Sequence, residues 1–160
     1  MNEKTKLKNK FIFNWVLKNK LAVGTSPMNI KDVTLLEKNK VKNILCLCSE
    51  DESMWHEELE NIFICHRLIL PDSNQKKLLT NKQIEDAYKT LKKFVKNNIT
   101  FVHCFASIER SPLLCIMFIM ENYNLNLEES LDYVKRVHPL TNPRNKQLFL
   151  IKNYFSNTNL

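Results

Sequence analysis

The spacing of apolar residues along the chain changes between two patterns, and each pattern predicts one kind of element. Short apolar runs rich in β-branched or aromatic residues predict strands. Five such runs occur: "FIFNWVL", "KLAVGT", "VKNILCLC", "NIFICHRLIL" and "ITFVHC". Apolar residues three and four positions apart predict helices in the other stretches. These are "NIKDVTLLEKNK", residues 81–97, the stretch from Pro112, residues 127–137 and a last helix starting near Pro143.

The starts of these helices are marked by residues that suit the first helical turn. Thr80 with Gln83, and Asn126 with Glu129, have the spacing of a capping box. Pro112 fits a first-turn position, where a backbone N–H has no partner in the helix. Strands that alternate with helices and then give way to a helical cluster predict an α/β fold. We expect a single domain with a central mixed sheet flanked by helices.

The charge of the chain is concentrated at one end. The formal net charge is +7, and the six lysines and one glutamate of residues 1–20 supply +5 of it. We therefore expect a lysine-rich flexible arm over residues 1–10 and a catalytic domain over residues 11–160. The arm is interpreted as solvated, with a loose contact to an acidic partner or membrane surface as the alternative. No basic stripe interleaved with aromatic residues follows it, which argues against nucleic-acid binding.

Apolar segments and cysteines indicate the compartment. The longest apolar run, Leu113 to Met120, is too short to cross a bilayer, and the first residues lack a secretory cleavage pattern. The five cysteines are an odd number, so a disulfide framework is not expected. We expect a cytoplasmic monomer without a membrane span. Four thiols lie in apolar runs and are interpreted as inert core residues: Cys46, Cys48, Cys65 and Cys115.

The fifth cysteine lies in "HCFASIERSP", residues 103–112. An apolar strand ends at Cys104 and a helix is predicted to begin just after Arg110, so loop amides and a helix N-terminus converge on one spot. Arginine adds a planar fork that suits phosphate oxygens. A cysteine in this positive field is expected to ionise to the thiolate, which is the nucleophilic form. The stretch therefore predicts a phosphate-binding loop around a reactive thiol.

The same residues carry a resemblance. "VHCFASIERSP" resembles the His-Cys-x5-Arg-Ser/Thr signature of cysteine-based protein phosphatases, and specifically the dual-specificity branch. "HRLILPDS" is similar to the family strand that ends in the general-acid loop, with Asp72 at the acid position. "KLAVGTSP" and "HPLTNPRNKQLFLIKNYF" resemble flanking segments of the family, so the likeness extends over roughly residues 15–155.

This resemblance implies a role for each matched residue. Cys104 attacks phosphorus and forms a cysteinyl-phosphate, and Ser111 helps the thiolate leave in the second step. Asp72 protonates the leaving group and then activates water. His103 buttresses the loop and favours the thiolate. The phosphoryl oxygens are held by the Arg110 side chain and by backbone amides, namely those of Phe105, Ala106, Ser107, Ile108, Glu109 and Arg110.

The reaction that the resemblance implies is hydrolysis of phosphotyrosine, and of phosphoserine or phosphothreonine, in a phosphorylated protein or peptide. No metal or cofactor is expected, because amides and arginine neutralise the developing charge. The alternative is a catalytically weak or silent phosphate-recognition module on the same fold. A thiol-based reductase would need a resolving cysteine, and Cys115 lies among apolar residues in a predicted helix.

Several residues keep two interpretations. Asp72 in "LPDS" is also typical of an ordinary turn, and Glu50, Asp51 and Glu52 are the alternative source of an acid. The family usually has glycine where this chain has Ser107. Three histidines have no matched partner and are interpreted as structural: His56, His66 and His138.

The acidic residue of the loop also has two possible orientations. If Glu109 faces outward, it is harmless to phosphate binding and disfavours polyanionic substrates such as phosphoinositides. If it faces inward, its charge opposes phosphate and favours an inactive protein.

Overall fold

The computed structural model describes residues 10–74 and 77–158. Nearly all of the predicted arm, residues 1–9, lies outside this description. The described residues form one sheet of five strands: β1 (Phe13–Leu17), β2 (Leu21–Gly24), β3 (Asn43–Cys46), β4 (Ile64–Arg67) and β5 (Thr100–His103). They also form six helices: α1 (Ile30–Lys38), α2 (Leu59–Ile62), α3 (Asn81–Asn97), α4 (Arg110–Tyr123), α5 (Leu127–Val137) and α6 (Asn145–Thr158).

The sheet is mixed, as predicted. Its strand order is β1-β2-β5-β3-β4, with β1 antiparallel to β2 and the other neighbours parallel. Parallel neighbours require crossover connections, and here helices supply them. The only glycine, Gly24, stands where a Cβ atom would collide with the carbonyl of Ile12, so a close approach between backbones explains it.

Two apolar cores lie on opposite faces of the sheet. The larger one is formed with α3, α4, α5 and α6, and the smaller one with α1 and α2. In α3 the buried residues recur at helical spacing: Ile84, Ala87, Tyr88, Leu91 and Val95. The sequence predicts an apolar side of α1 formed by Ile30, Val33, Leu35 and Leu36. This is partly wrong, since Ile30 and Leu35 are 50% and 40% exposed. Only Val33 and Leu36 of that side reach the core.

The helix boundaries follow their caps. Thr80 with Gln83, and Asn126 with Glu129, form the predicted capping boxes. Helix α4 begins at Arg110, two residues before Pro112, so the arginine of the predicted phosphate-binding loop is itself the first helical residue. In the part of the chain that is described, no helix is long and apolar enough to cross a membrane.

Candidate active site

The predicted site residues meet at the carboxyl-terminal edge of the parallel strands. The loops after β3, β4 and β5 carry Glu52, Asp72 and Cys104, respectively. Because parallel strands end at the same edge, residues far apart in sequence come together there. Arg110, on the first turn of α4, contacts both Glu52 and Asp72.

Cys104 lies at the bottom of this arrangement. It is 3% exposed, and the hydroxyl of Ser111 donates a hydrogen bond to its sulfur at 3.3 Å. Ser111 is on the first turn of α4, so its hydroxyl and the helix N-terminus point toward the same sulfur. Hydrogen-bond donors around sulfur favour the thiolate over the neutral thiol. The geometry is therefore suited to a buried nucleophile.

The loop between Cys104 and α4 directs its carbonyl groups away from the centre. The carbonyl oxygens of Phe105, Ser107 and Ile108 accept hydrogen bonds from surrounding residues, at 3.4 Å from the Ser26 amide, 2.7 Å from the ring of His138 and 2.8 Å from the Asn142 amide. In a trans peptide the following N–H points opposite to the carbonyl. The next amides are thus turned toward the enclosed side, where they form an anion-binding concavity.

Ser107 adopts the left-handed conformation that the family's usual glycine would favour. Its φ is 55°, which costs about 1–2 kcal/mol for a residue with a Cβ atom. The side chain of His138 offsets this strain: its Nε2 lies 2.7 Å from the Ser107 carbonyl oxygen and 3.0 Å from the Ser107 hydroxyl. The Ser107 hydroxyl is 3.2 Å from that of Ser111, so a chain of contacts leads from His138 to Cys104.

The environment of His138 identifies its tautomer. Its Nδ1 lies 2.8 Å from the side-chain nitrogen of Asn14, which can only donate. Nδ1 therefore accepts, and Nε2 carries the hydrogen that is donated to Ser107. Burial lowers the pKa of His138, and its hydrogen bond to the Ser107 backbone opposes part of that shift. The neutral ring is the form that the fold favours.

Arg110 is the most heavily bonded side chain of the site. It is 3% exposed, and its Nη2 donates to Glu52 at 2.7 Å and to Asp72 at 3.2 Å. Its Nη1 donates to Glu52 at 3.0 Å and to the carbonyl oxygens of Leu47 and Leu70. Burial by itself would lower the pKa of Arg110, but the hydrogen bond with Glu52 and the nearby negative charges of Cys104, Cys48 and Glu52 together outweigh it, and the pKa is raised. The guanidinium is held as a fixed positive charge.

Glu52 acts on this arginine and not as a free acid. Burial raises the pKa of Glu52, but hydrogen bonds from Arg110 and from the Ser49 amide outweigh that effect and hold the pKa below its usual range. A carboxylate that stays ionised is a poor proton donor. The other two residues of this acidic cluster, Glu50 and Asp51, are exposed. Among the described residues neither forms a hydrogen bond or ion pair with Arg110. Asp72 is left as the better-placed acid.

Asp72 has both of the features that the sequence suggested. One carboxylate oxygen accepts from the Asn74 amide at 2.8 Å, which is the turn interaction expected of Asp in this position. The other oxygen faces Arg110 at 3.2 Å. The side chain is 31% exposed, so a bound substrate could reach it. A turn residue and a proton donor are compatible here.

Glu109 faces outward. Its two carboxylate oxygens accept from Arg144 at 3.3 Å and from Gln147 at 3.2 Å, both at the start of α6. The orientation that would have opposed phosphate binding is therefore wrong for this structure. Arg144 also donates to the Asn74 side chain at 3.3 Å. One arginine therefore links the loop of residues 104–109, called the catalytic loop below, to the loop of Asp72.

His103 is placed beside the loop but not bonded to it. The ring is fully buried and stacks on Phe101, with centroids 5.6 Å apart. Neither ring nitrogen has a hydrogen-bond partner among the described residues, so the expected bonding to the loop is not found. The sulfur atoms of Cys46 and Cys48 both lie within 4.8 Å of a nitrogen atom of the His103 ring.

A groove lies beside Asp72. Its volume is about 810 Å³, and the Asp72 loop and α6 form its two sides. Apolar and basic side chains line it. The apolar ones include Leu78 and Phe149, and the exposed basic ones, which form its rim, are Lys77, Arg144 and Lys146. Leu78 and Phe149 are 74% and 62% exposed, which is unusual for large apolar residues beside a site.

Comparison with known families gives this geometry a context. The model of the family described as "Dual specificity phosphatase, catalytic domain" matches residues 23–157. The chain belongs to this family. The match contains all three loops that converge on Cys104.

Known proteins similar to this dual-specificity phosphatase domain are distant. A probable dual specificity protein phosphatase of Dictyostelium discoideum is 24% identical over 119 residues, which cover 74% of this chain and 29% of that protein. Protein phosphatase Slingshot homolog 3 of Mus musculus is 25% identical over 134 residues, covering 81% of this chain and 19% of that protein. The chain thus spans less than a third of the length of these curated relatives.

Solved structures show the same fold. The human tyrosine phosphatase-like serine/threonine/tyrosine-interacting protein superposes with a TM-score of 0.79 at 17% identity, covering 92% of this chain and 98% of that one. Tk-PTP in its active form gives a TM-score of 0.76 at 16% identity, with 90% and 96% coverage. The predicted α/β architecture with a mixed central sheet is confirmed.

Two contacts of this phosphatase-family domain were not foreseen from its sequence. His138 was interpreted as structural, yet it supports the catalytic loop through Ser107. The sequence suggests Glu52 as part of a solvated acidic loop or as an alternative acid, yet it forms the closest ion pair of Arg110. The signal for Glu52 was weak, an acidic residue shortly after a buried strand. For His138 the sequence contains no signal of this contact, since the residue is an isolated histidine.

Proposed function

We propose that the domain is a protein phosphatase that hydrolyses phosphotyrosine, and phosphoserine or phosphothreonine, through a cysteinyl-phosphate intermediate. The observation that carries this proposal is the position of the Cys104 sulfur. It lies beneath a loop of inward amides, bonded to Ser111 and beside the buried charge of Arg110. Membership of the dual-specificity phosphatase family supports it.

In the first step the Cys104 thiolate attacks phosphorus. A bond forms between sulfur and phosphorus, and the bond from phosphorus to the substrate's oxygen breaks. The loop amides and Arg110 hold the three phosphoryl oxygens, whose charge grows in the transition state. Asp72 gives its proton to the departing oxygen. To do so it must leave Arg110, and a phosphate dianion arriving at that arginine both displaces Asp72 and favours its protonated form.

In the second step water replaces the enzyme's sulfur. The Asp72 carboxylate takes a proton from the water, whose oxygen bonds to phosphorus as the sulfur–phosphorus bond breaks. The electron pair returns to Cys104, and the hydrogen bond from Ser111 at 3.3 Å stabilises the departing thiolate. The products are inorganic phosphate and the starting enzyme. No step requires a metal ion.

The groove beside Asp72 supports a preference among substrates. Three basic side chains, Lys77, Arg144 and Lys146, line the groove together with apolar ones. A peptide that places a phosphorylated residue over Cys104 would pass across this groove. We infer that phosphopeptides with acidic and apolar residues near the phosphorylation site bind best, because opposite charges attract across the rim.

A second candidate is a phosphate-recognition module with little turnover. The observation in its favour is that Arg110 already donates to two carboxylates and two carbonyl oxygens. A phosphate dianion must compete with Asp72 for this arginine. If Asp72 remained bound there, phosphate would bind weakly and no proton donor would be free.

The deciding experiment measures release of phosphate from an aryl phosphate and from a phosphotyrosine peptide in the presence of a chelator. Wild-type protein should turn over both, whereas Cys104→Ser should turn over neither. The variant should still bind vanadate or phosphate, because its amides and Arg110 remain. Acid quenching of the wild type during turnover should trap phosphate on Cys104. Equal binding without turnover in both proteins would establish the recognition module, and turnover by Cys104→Ser would exclude the covalent mechanism.

A further inference from the structure

A row of polar side chains crosses the middle of the sheet directly behind the catalytic loop. In the strand register His103 of β5 is paired with Cys46 of β3, and Cys46 is paired with Arg67 of β4. Side chains of paired residues in neighbouring strands point to the same face. Three adjacent strands therefore bring an imidazole, a thiol and a guanidinium side by side at the ends of the strands.

A second thiol completes this group. Cys48 follows Cys46 at a spacing of two, and the sulfurs of both cysteines and a ring nitrogen of His103 all lie within 4.8 Å of one another. Two sulfurs bound to one metal ion at about 2.3 Å each are separated by about 4 Å. The three atoms are thus already spaced nearly as ligands of a single ion.

The state of His103 points independently to a missing ligand. The ring is fully buried, and neither of its nitrogens has a hydrogen-bond partner among the described residues. Burying polar nitrogen atoms without a partner is unfavourable, and it is rare in folded proteins. Stacking on Phe101 gives the face of the His103 ring a packing partner, but it provides no hydrogen bond to the ring nitrogens. A metal ion bound at one nitrogen would remove part of this cost.

We propose that Cys46, Cys48 and His103 form a binding site for a soft, thiophilic metal ion, and that three-coordinate copper(I) fits it best. Thiolate ligands select copper(I) and zinc over harder ions. Zinc prefers four ligands in a tetrahedron. The cluster of potential ligands in the described residues has three members, all buried, which suits an ion that accepts three.

The charge balance also favours a monovalent ion. Two thiolates and one copper(I) carry a net charge of −1. Arg67 supplies a compensating positive charge, with its Nη1 3.3 Å from the Cys46 sulfur. That guanidinium is fixed by the carbonyl oxygens of Cys48 and Ser53 and by the ring of Trp55, 4.5 Å away. With zinc the site would be neutral before Arg67 is counted, and the arginine charge would be left unbalanced.

The site would act on the active centre through one peptide bond. His103 immediately precedes Cys104, and the amide of Leu47 donates to the His103 carbonyl oxygen at 2.9 Å. A metal ion on His103, Cys46 and Cys48 would cross-link β3 and β5 at the base of the catalytic loop. Binding should therefore stabilise the fold as well as occupy the thiols.

The test titrates purified protein with copper(I) under anaerobic conditions against a coloured copper(I) chelator. The catalytic thiol would itself bind copper, so all proteins carry Cys104→Ser. This background should bind one equivalent. Adding Cys46→Ser or Cys48→Ser should weaken binding by at least about 10–100-fold, which is the loss seen when even the outer partners of a metal site are removed. Cys65→Ser, a half-buried thiol outside the cluster, is the matched control and should bind like the background.

X-ray absorption of the copper-loaded Cys104→Ser protein provides a readout that does not depend on the folding of further variants. Two sulfurs and one nitrogen are expected around the metal. Copper should also raise the melting temperature of the background and not that of the Cys46→Ser variant. Unaltered binding after loss of Cys46, no binding by the background, or a spectrum without nitrogen would each overturn the proposal. Tighter binding of zinc than of copper(I) would overturn the choice of a monovalent ion.

Discussion

At the scale of the residue, the site is organised by the charge of Arg110. A guanidinium that is 3% exposed requires partners, and Glu52 provides two contacts at 2.7 and 3.0 Å. Asp72 provides a longer one at 3.2 Å. The closer carboxylate is the main ion-pair partner of the arginine. In the proposed mechanism the more distant one exchanges with substrate, so the two carboxylates would have different functions.

The charge of Glu52 should contribute to stability and to phosphate binding. Glu52→Gln keeps the shape and removes the charge, so Arg110 loses its main partner. We expect the free energy of unfolding to fall by about 1–3 kcal/mol. The loss is smaller than for a fully buried ion pair because Glu52 is 20% exposed. The inhibition constant of phosphate should rise because the guanidinium is held less firmly. Denaturant unfolding and inhibition assays measure both, with the exposed Glu50→Gln as the control.

The pH dependence of this contribution has a definite sign. Since the folded pKa of Glu52 is lowered, its stabilisation is present above the unfolded value of about 4.3 and is lost as the pH falls through the folded pKa. The stability difference between wild type and Glu52→Gln should therefore shrink below about pH 4. A difference that stays constant down to pH 3 would contradict the ion pair.

Asp72 can be tested separately as an acid because asparagine preserves its turn. The amide oxygen of Asp72→Asn can still accept from the Asn74 amide, whereas the proton donor is lost. Turnover of phosphopeptides, whose leaving oxygens are basic, should fall by about 10²–10⁴-fold. The loss on an activated aryl phosphate should be distinctly smaller, since its phenolate departs without a proton. Asp51→Asn in the neighbouring acidic loop is the control.

Both substrates losing activity equally after Asp72→Asn, with both limbs of the pH profile intact, would exclude Asp72 as the acid. The acidic limb should remain in the variant because it reports the thiolate. The basic limb should flatten because it reports the protonated acid. An equal loss would favour Glu50 or Asp51 as the acid, since Glu52 is held ionised by Arg110.

At the scale of the element, the catalytic loop is held at several points by different helices. Helix α4 provides Ser111, the segment after α5 provides His138, and the start of α6 provides Arg144 and Gln147 against Glu109. Carbonyl groups of the loop are bonded from outside, so its amides remain available within. A loop without glycine therefore keeps one conformation through contacts made by its neighbours.

The contact between His138 and Ser107 predicts a second pH effect. The folded pKa of His138 is lowered, so the neutral ring stabilises the fold above the unfolded value of about 6.5, and this stabilisation is lost as the pH falls toward the folded pKa. His138→Gln keeps a donor for the Ser107 carbonyl oxygen but does not titrate. The drop in unfolding midpoint from pH 7.5 to 5.5 should be smaller in the variant than in the wild type.

The exposed His66→Gln is the control for this measurement, and it should retain the wild-type pH dependence. His138→Gln should also lower kcat/KM, by about tenfold if the loop loses about 1.4 kcal/mol of support in the transition state. Identical pH slopes in wild type and His138→Gln would show that His138 is not the neutral donor to Ser107.

At the scale of the whole molecule, the candidate active site and the groove proposed to bind peptide lie along one edge of the sheet. The thiol and its phosphate loop lie at the centre, and the groove between the Asp72 loop and α6 lies beside them. Basic residues of the rim belong to the tertiary surface and not to the lysine-rich arm. The arm, residues 1–10, is proposed to be dispensable for chemistry, because exposed charges are screened over about 8–10 Å.

The groove predicts a difference between large and small substrates. Lys146→Glu reverses one charge of the rim, so KM for an acidic phosphopeptide should rise by up to about fivefold, equivalent to the roughly 0.2–1 kcal/mol of an exposed charge contact. Turnover of a small aryl phosphate should be unchanged. Lys93→Glu is the matched control. Lys93 is also exposed, and it lies about 18 Å along helix α3 from the first residue of that helix, Asn81. An equal effect of both variants on the peptide would assign the change to net charge and not to the groove.

The sequence by itself predicted those features that depend on neighbouring residues. Cys104, Arg110 and Ser111 are joined by one strand end, one loop and one helical turn, so their convergence follows from local geometry. The capping boxes at Thr80 and Asn126 are equally local, and both are confirmed. One local expectation is wrong. The pair Asn97-Asn98 predicts that α3 ends with a left-handed residue, whereas Asn98 ends it with an extended φ of −150°.

Only the tertiary structure decided which distant residues share the site. Glu52 and Arg110 are 58 positions apart, and His138 and Ser107 are 31 apart. Their contacts depend on strand order, on register and on how helices pack, and residue spacing along the chain encodes none of these directly. The row of Cys46, His103 and Arg67 has the same origin, since it exists only because β3 lies between β4 and β5 in this register. Short-range geometry therefore predicted the nucleophile and its loop, whereas long-range pairing set the charges around them.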